Sequence, residues 1–380
     1  MKHQQYNPGF AFVREPGEFN KFTEREVLQY CLGATLYMPG TREVVDKILN
    51  RGLAELASMV MCFEDAIMEE ELGVAESNVL QHLKRLSDAL EQGRITHDEI
   101  PLTFLRVRTT EQFRRFAEKL TPELAAVLSG FVFPKFYSYN ASEYLGLLEQ
   151  LNRALGHRLY GMPILEGHAI AMVETRMQEL IGLRDILKPY KELILNIRVG
   201  GTDFSSLFGV RRGINYSIYD ILTVRDCISD ILNVFGRVEE DYVVSGPVWE
   251  YFLAHKKDDL SRLLEQNIHR SLMSRNPILN DAIDGLLREV MLDRANGFIG
   301  KTIIHPSHAR FVNAMQAATR EEYEDALQIL EGAGGVVKSS RANKMNERNP
   351  HRSWAKRIVS TAHVYGVVEN EASYIELIRA

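Results

Sequence analysis

The sequence predicts an α/β fold, a (β/α)8 TIM barrel with an N-terminal extension and a further C-terminal segment. Eight short apolar runs occur along the chain, and each is followed by a segment with helical periodicity. The runs are continuously apolar rather than alternating, which is typical of parallel strands buried on both faces. Eight such strand–helix units also fit a chain of 380 residues.

The predicted elements follow one another in a regular order. The strands are 34–38, 56–63, 102–107, 128–133, 161–165, 193–199, 241–245 and 299–304. The periodicity predicts helices near 24–31, from 41 onward, and at 78–90, 142–155, 173–187, 216–235, 280–293, 309–318, 320–330 and 354–365. The Pro39-Gly40 turn and Thr41, a suitable helix cap, mark the first strand-to-helix junction.

The alternation predicts three parts of the chain. Residues 1–30 form an N-terminal extension, residues 31–331 hold the barrel, and residues 332–380 form a C-terminal segment with a last helix. Within the last part, residues 332–352 are polar, basic and weakly periodic, which predicts a mobile segment.

Composition narrows the function classes. The net charge of −6 and the sequence pI near 6.0 indicate no nucleic-acid partner and no anionic membrane surface. No apolar run approaches the length of about 20 residues that a membrane span needs. Three scattered cysteines, Cys31, Cys62 and Cys227, predict core packing in a reducing compartment, and hence a cytoplasmic protein.

Charged or reactive side chains follow nearly every predicted strand, at the rim where a barrel's active site lies. They are Arg42, Glu64 with Asp65, Arg106 with Arg108, Lys135, Glu166, Asp203, Ser245 and His305. Helix capping does not explain them, because a helix start favours Asp, Ser, Thr or Asn. The pattern predicts a site for an anion bound to a metal.

The chemistry of these side chains predicts separate roles in metal binding, substrate binding and catalysis. Glu166 and Asp203 are the predicted ligands of Mg²⁺, which binds through one or two carboxylates plus substrate oxygens. The loop before Asp203, with Gly201 and Thr202, offers backbone amides to the substrate. Arg106 is suited to hold a substrate carboxylate with two hydrogen bonds, and Arg42 adds positive charge. Candidate catalytic residues are Arg106, Glu64, Asp65 and Lys135.

This set predicts the making or breaking of a carbon–carbon bond beside a carbonyl, through a metal-stabilised enolate. Simpler interpretations of single residues stay open. Glu166 can cap a helix, Asp203 can occupy a turn, and Glu64 can orient an arginine. Structural roles are also predicted for Arg108 as a surface ion pair, Cys62 as core, His168 as a helix-start residue and His305 as a hydrogen-bonded rim residue. Arg211 and Arg212 either bind a phosphate or nucleotide group or lie on a solvated loop.

Seven segments in order resemble motifs of the HpcH/HpaI aldolase and citrate lyase beta-subunit superfamily. They are LYMPGTREVVDKIL, FEDAI, LRVR, FPKF, ILEGHAIA, GGTDFSSLFG and GFIGKTIIHPSH, between residues 36 and 308. The segment GGVVKSSRANKMNERNPHRSWAKRIV resembles the lid of that superfamily, so the resemblance implies that residues 332–380 form a C-terminal lid and helix. The resemblance implies a (β/α)8 barrel, Mg²⁺ on Glu166 and Asp203, and Arg106 on the substrate carboxylate.

The resemblance further implies a lyase acting on a 2-oxo or 2-hydroxy acid, free or as a CoA thioester. It also implies a homo-oligomer, a trimer or hexamer, with the lid reaching a neighbour's site. Three departures stand out: Glu166 precedes Gly167 where Glu-Thr is usual, LRVR replaces RVN, and Glu347 stands where the lid usually has aspartate. A non-catalytic assembly subunit that retains the barrel is the alternative function. A phosphoryl-transfer barrel is disfavoured, because no phosphate-carrying histidine motif is visible.

Overall fold

The computed structural model describes residues 7–252, 278–332, 336–338 and 345–379. Residues 1–6 of the predicted N-terminal extension, and residues 333–335, 339–344 and 380 of the predicted lid part, lie outside the described residues. The strands are β1 Ala34–Pro39, β2 Ser58–Cys62, β3 Leu102–Arg106, β4 Gly130–Phe133, β5 Tyr160–Leu165, β6 Arg198–Val199, β7 Lys301–Ile303, β8 Ala318–Thr319, β9 Val336–Lys338, β10 Met345–Glu347 and β11 Val367–Val368.

The helices lie between and after these strands. They are α1 Arg25–Leu28, α2 Val45–Leu49, α3 Leu72–Glu91, α4 Thr110–Ala117, α5 Pro122–Ala125, α6 Ser138–Leu155, α7 His168–Ala171, α8 Val173–Leu187, α9 Gly201–Leu207, α10 Leu222–Phe235, α11 Asp281–Ala295, α12 Ala309–Ala314, α13 Arg320–Glu331, α14 Arg348–Tyr365 and α15 Ser373–Arg379. Within the described ranges, no helix is long and apolar enough to cross a membrane.

Seven strands form one parallel sheet in the order β6-β5-β4-β3-β2-β1-β7. The ring is completed by residues 243–246, which make single bridges to β6 and β7 instead of a regular strand. Ile197 N–H donates to the Val243 carbonyl at 2.9 Å, and Thr302 N–H donates to the Gly246 carbonyl at 3.2 Å. The barrel prediction is therefore confirmed, with its seventh strand reduced to bridges.

Local sequence signals explain several helix boundaries. The Thr109 hydroxyl accepts from the Gln112 N–H and caps α4, while the Asn280 side chain caps α11 in the same manner. Gly156 ends α6 with a φ of +66°, a left-handed conformation that glycine adopts at little cost. The predicted 309–318 helix ends early, because Ala318 and Thr319 pair instead with β11.

The N-terminal extension packs against the C-terminal part of the chain. Val13 N–H donates to the Val367 carbonyl at 2.8 Å, and Gly17 N–H donates to the His363 carbonyl at 2.7 Å. These bonds place residue 14 antiparallel to β11, which also pairs with β8. The two ends of the chain thus form one small sheet beside the barrel.

Candidate active site

A cleft of about 310 Å³ lies over the carboxyl ends of the barrel strands. The predicted site residues that line it are Asp65, Arg106, Glu166, Gly201, Thr202 and Asp203. The topology explains this convergence, since parallel strands deliver the residue after each carboxyl end to the same rim.

Glu166 and Asp203 both line this cleft and lie close enough to affect each other's ionisation. Glu166 directly follows β5 and is only 3% exposed. Its Oε1 accepts a hydrogen bond from the Lys135 backbone N–H at 2.8 Å. Burial, together with the neighbouring Asp203 carboxylate, raises the pKa of Glu166 well above its usual value. Burial and the Asp65 charge raise the pKa of Asp203 as well.

This pair fits a hard divalent cation. Both side chains present carboxylate oxygens, the ligand type that Mg²⁺ prefers. The raised pKa values reflect mainly burial, which makes both acids costly to ionise, and a bound cation would offset that cost. No group of three or more His, Cys, Asp or Glu side chains gathers into a metal cage among residues 7–252, 278–332, 336–338 and 345–379. Two carboxylates nevertheless suffice for Mg²⁺, which keeps several waters.

Arg106 belongs to an ion-pair cluster at one wall of the cleft. Its Nη1 lies 3.2 Å from Glu64 Oε2 and 3.4 Å from Asp65 Oδ2, and its Nε donates to Cys62 Sγ at 3.1 Å. The Lys135 ammonium is paired with Glu64 and lies 3.5 Å from Asp65. Glu64 thus holds two cations in place, the structural role that the sequence left open.

The titration behaviour of the cluster follows from its contacts. Burial and the hydrogen bond with Asp65 raise the pKa of Glu64. Burial opposes ionisation of Asp65 too, but its bond with Glu64 and the charge of Arg106 lower the pKa of Asp65. For Lys135, burial is outweighed by the bond to Glu64, so its pKa is raised. Lys135 is therefore a cation at neutral pH.

Lys135 also has an unusual backbone. Its φ is +46°, in the left-handed region that non-glycine residues seldom adopt. This conformation turns the backbone N–H toward Glu166 while the side chain reaches Glu64. Lys135 therefore contacts both the candidate metal ligand Glu166 and the ion-pair cluster around Glu64. Strained backbone conformations of this kind are common at functional positions.

Seven predicted residues lie outside the cleft lining: Glu64 and Lys135 of the ion-pair cluster, Arg108, and the four described next. Arg42 is exposed in the turn after β1. Glu347 directly precedes α14, and its backbone N–H donates to His351 Nδ1 at 3.0 Å. The Ser245 hydroxyl is buried and donates to the Ile299 carbonyl at 2.9 Å. His305 caps the short turn at Ser307, which is the structural role expected of it.

Two arginine predictions are wrong. Arg108 forms no surface ion pair in the described part of the chain; its guanidinium donates to the backbone carbonyls of Phe63 and Ile67. Arg212 is neither solvated nor free for a phosphate. It is buried, pairs with Glu289, and lies 4.7 Å from the Trp249 ring centroid. Arg211, by contrast, is exposed.

Sequence reasoning missed Tyr37, Arg198 and Thr302, which also line the cleft. Cys62 was assigned to the core and is buried, yet it too lines the cleft and contacts Arg106. One signal was available for Arg198: a charge near the end of the apolar run 193–199 is unexpected on a buried strand.

Residues 26–367 match the sequence profile of a family described as C–C bond lyase of the TIM-barrel fold. The chain belongs to this family. The C–C bond lyase family accounts for the barrel and indicates a carbon–carbon lyase, in agreement with the superfamily resemblance.

Relatives agree with this membership. The chain is 31% identical over 105 residues to citrate lyase subunit beta of Leuconostoc mesenteroides subsp. cremoris, which is 26% of this chain and 33% of that protein. The match therefore spans about a third of the length of that relative.

Among solved structures, the CitE protein of Mycobacterium tuberculosis, in complex with magnesium, acetoacetate and coenzyme A, has a TM-score of 0.53 and 14% identity. That likeness covers 88% of this chain and 99% of the other, and it shows a shared fold. An HpcH/HpaI aldolase/citrate lyase family protein from Burkholderia cenocepacia J2315 has a TM-score of 0.44 and 10% identity, over 74% of this chain and 91% of that one.

Proposed function

We propose that this C–C bond lyase family member is a Mg²⁺-dependent lyase or aldolase acting on a 2-oxo or 2-hydroxy acid. The supporting observation is that Glu166, Asp203 and Arg106 line one cleft at the carboxyl end of the barrel. Two acids suited to a metal stand beside an arginine suited to a carboxylate, as a chelating acid substrate requires.

Glu166 and Asp203 would hold the Mg²⁺ ion, which when bound polarises a carbonyl and stabilises an enolate. Backbone N–H groups of the chain supply further contacts to the substrate and to Glu166. Gly201 and Thr202 line the cleft beside this pair and offer backbone N–H groups. The Lys135 N–H fixes the Glu166 carboxylate, so the acid needs no reorganisation before it binds a cation.

Arg106 would bind the substrate carboxylate, because a guanidinium donates two parallel hydrogen bonds to such a group. Glu64 and Asp65 orient it, and its stacking over the Tyr37 ring, 5.6 Å from the centroid, restricts it further. The Lys135 ammonium places a positive charge where negative charge develops during bond cleavage.

The substrate would be a free acid or its CoA thioester, since the M. tuberculosis relative was solved with acetoacetate and coenzyme A. We also propose a cytoplasmic homo-oligomer, a trimer or hexamer, in which Glu347 of the lid acts at a neighbour's cleft. Arg42, exposed after β1, would add positive charge at the entrance for such a substrate.

The test is metal-dependent turnover in the full chain. We expect Glu166→Gln and Asp203→Asn each to abolish Mg²⁺-dependent cleavage of oxaloacetate, malyl-CoA and citramalyl-CoA, measured by product release. Glu174→Gln, an exposed acid on α8, is the matched control and should leave activity and Mg²⁺ affinity unchanged. Calorimetry that detects no Mg²⁺ binding to the wild-type chain would contradict the proposal and favour a non-catalytic assembly role.

A further inference from the structure

Arg198 is a buried cation in the floor of the cleft. It lies on β6, only 1% exposed, and its guanidinium crosses the barrel interior. Nη1 donates to the Thr35 hydroxyl on β1 at 3.1 Å, and Nη2 donates to the Thr302 hydroxyl on β7. Neutral hydroxyls orient this guanidinium but do not balance its charge.

The other buried arginines are different. Arg25, Arg176, Arg212 and Arg310 each lie within ion-pair distance of a carboxylate. Arg198 has no carboxylate partner among the described residues, and its buried Nε has no acceptor there. A buried charge without a countercharge is costly, so a fold retains one where something else uses it.

The strand register places Arg198 beneath Glu166, one of the two candidate metal ligands. It pairs with Ile164 on β5, and Glu166 follows two residues later on the same inward face. Arg198, Thr302 and Glu166 all line the cleft. The positive charge of Arg198 therefore attracts a negative group of any molecule that binds in the cleft over β5 and β6.

The Tyr37 ring, which both arginines contact, limits the distance between the guanidinium groups of Arg198 and Arg106. The guanidinium carbons of Arg106 and Arg198 each lie 5.6 Å from the centroid of the Tyr37 ring. The two guanidinium groups are therefore at most about 11 Å apart, and a short molecule can contact both. Arg106 is already balanced by Glu64 and Asp65, whereas the described ranges hold no carboxylate paired with Arg198.

We propose that Arg198 is a specificity-determining residue, which binds a second negative group of the substrate and so selects short dicarboxylic over monocarboxylic 2-oxo or 2-hydroxy acids. The inference rests on the proposed function, because it places the first carboxylate on Arg106 and the 2-oxygen toward Glu166 and Asp203. Thr302 acts as a positioning residue that holds the Arg198 guanidinium toward the cleft.

Malate and lactate are suitable probes, since these stable 2-hydroxy acids differ by one carboxylate. Calorimetry on the full chain with Mg²⁺ should show malate binding at least tenfold tighter than lactate. Arg198→Met should reduce that preference below twofold while the Kd for lactate changes less than twofold. Its melting temperature should not fall, because the variant removes an unbalanced buried charge.

Two further variants separate this role from a structural one. Arg25→Met removes a buried arginine that is paired with Asp241, and it should lower the melting temperature without changing the malate preference. Thr302→Val should reduce the preference for malate over lactate about threefold, while the Kd for lactate stays unchanged. If Arg198→Met does not fold, this variant tests whether Arg198 binds the second carboxylate.

The outcomes distinguish this inference from the proposed function. A wild-type chain that binds lactate with Mg²⁺ but binds malate no tighter overturns the inference alone. An Arg198→Met chain that keeps a tenfold preference for malate does the same. If neither acid binds in the presence of Mg²⁺, the proposed function and this inference both fail.

Discussion

Gly200 and Glu166 occupy adjoining space in which no further carbon atom fits. A Cβ added to Gly200 would lie 2.2 Å from the Glu166 Cβ and 2.5 Å from its Oε2. Gly200→Ala should therefore displace the carboxylate and weaken Mg²⁺ binding more than tenfold, because overpacking typically costs about 1–3 kcal/mol. Calorimetric titration with Mg²⁺ measures this directly.

Gly146→Ala is the control for that substitution. Gly146 lies on α6 with no atom within 4 Å of an added Cβ, so alanine should leave Mg²⁺ affinity unchanged and raise the melting temperature slightly. Equal Mg²⁺ affinities for Gly200→Ala and wild type would show that Glu166 is not held by this contact.

Mg²⁺ affinity should rise with pH. Burial raises the pKa values of Glu166 and Asp203, and the charge of Asp203 adds to the effect on Glu166 as the charge of Asp65 does for Asp203. Protons therefore compete with the metal for these carboxylates at mildly acidic pH. Raising the pH ionises both acids, and we expect binding at pH 8 to be at least tenfold tighter than at pH 5. Binding should also release protons, measured as a dependence of the calorimetric heat on the buffer. An affinity that stays constant over this range would contradict the assignment.

The barrel was predictable because its signals are local and repeated. Continuous apolar runs mark buried parallel strands, and the charged residues that follow them meet at one rim whatever the details of packing. Asp65, Arg106, Glu166 and Asp203 were found in this way. The segment 241–245 was predicted as a strand for the same reason, although it contributes only single bridges.

The structural features that the sequence did not predict depend on contacts between residues far apart in the chain. The pairing of Val13 with Val367 joins the two ends of the chain, and no local pattern encodes it. Arg212 looked solvated because its counterion, Glu289, lies 77 positions away. Arg198 was passed over because a strand pattern is judged by its apolar residues, while its role depends on Thr35 and Thr302 from other strands.

Arg106→Lys should weaken binding of the monocarboxylic acid lactate about tenfold. Lysine keeps the charge but loses the two-pronged donor and the Nε contact with Cys62, and hydrogen bonds between charged groups contribute about 1.5–3 kcal/mol. The Kd for lactate with Mg²⁺ measures the effect, and Mg²⁺ binding itself serves as the internal control. An unchanged Kd would remove Arg106 from the carboxylate site.

A buried charge network anchors the loop that follows Asp203. Arg212 pairs with Glu289, and Lys301 lies 3.1 Å from Glu289 and 2.7 Å from Asp293. Since these side chains are 0–1% exposed, removing one partner leaves charge that water cannot reach. Arg212→Met should therefore lower the free energy of unfolding by about 3 kcal/mol, the scale for breaking a buried ion pair.

The neighbouring arginine supplies the control for this last prediction. Arg211 is exposed, and Arg211→Met should change the free energy of unfolding by less than about 0.5 kcal/mol. Urea unfolding of both variants, followed by circular dichroism, gives the two values. Because Arg212 also donates to the Val248 carbonyl at 2.8 Å, and Val248 lines the cleft, its loss should loosen the cleft wall as well. Equal stabilities of the two variants would mean that Arg212 is exposed to solvent in solution.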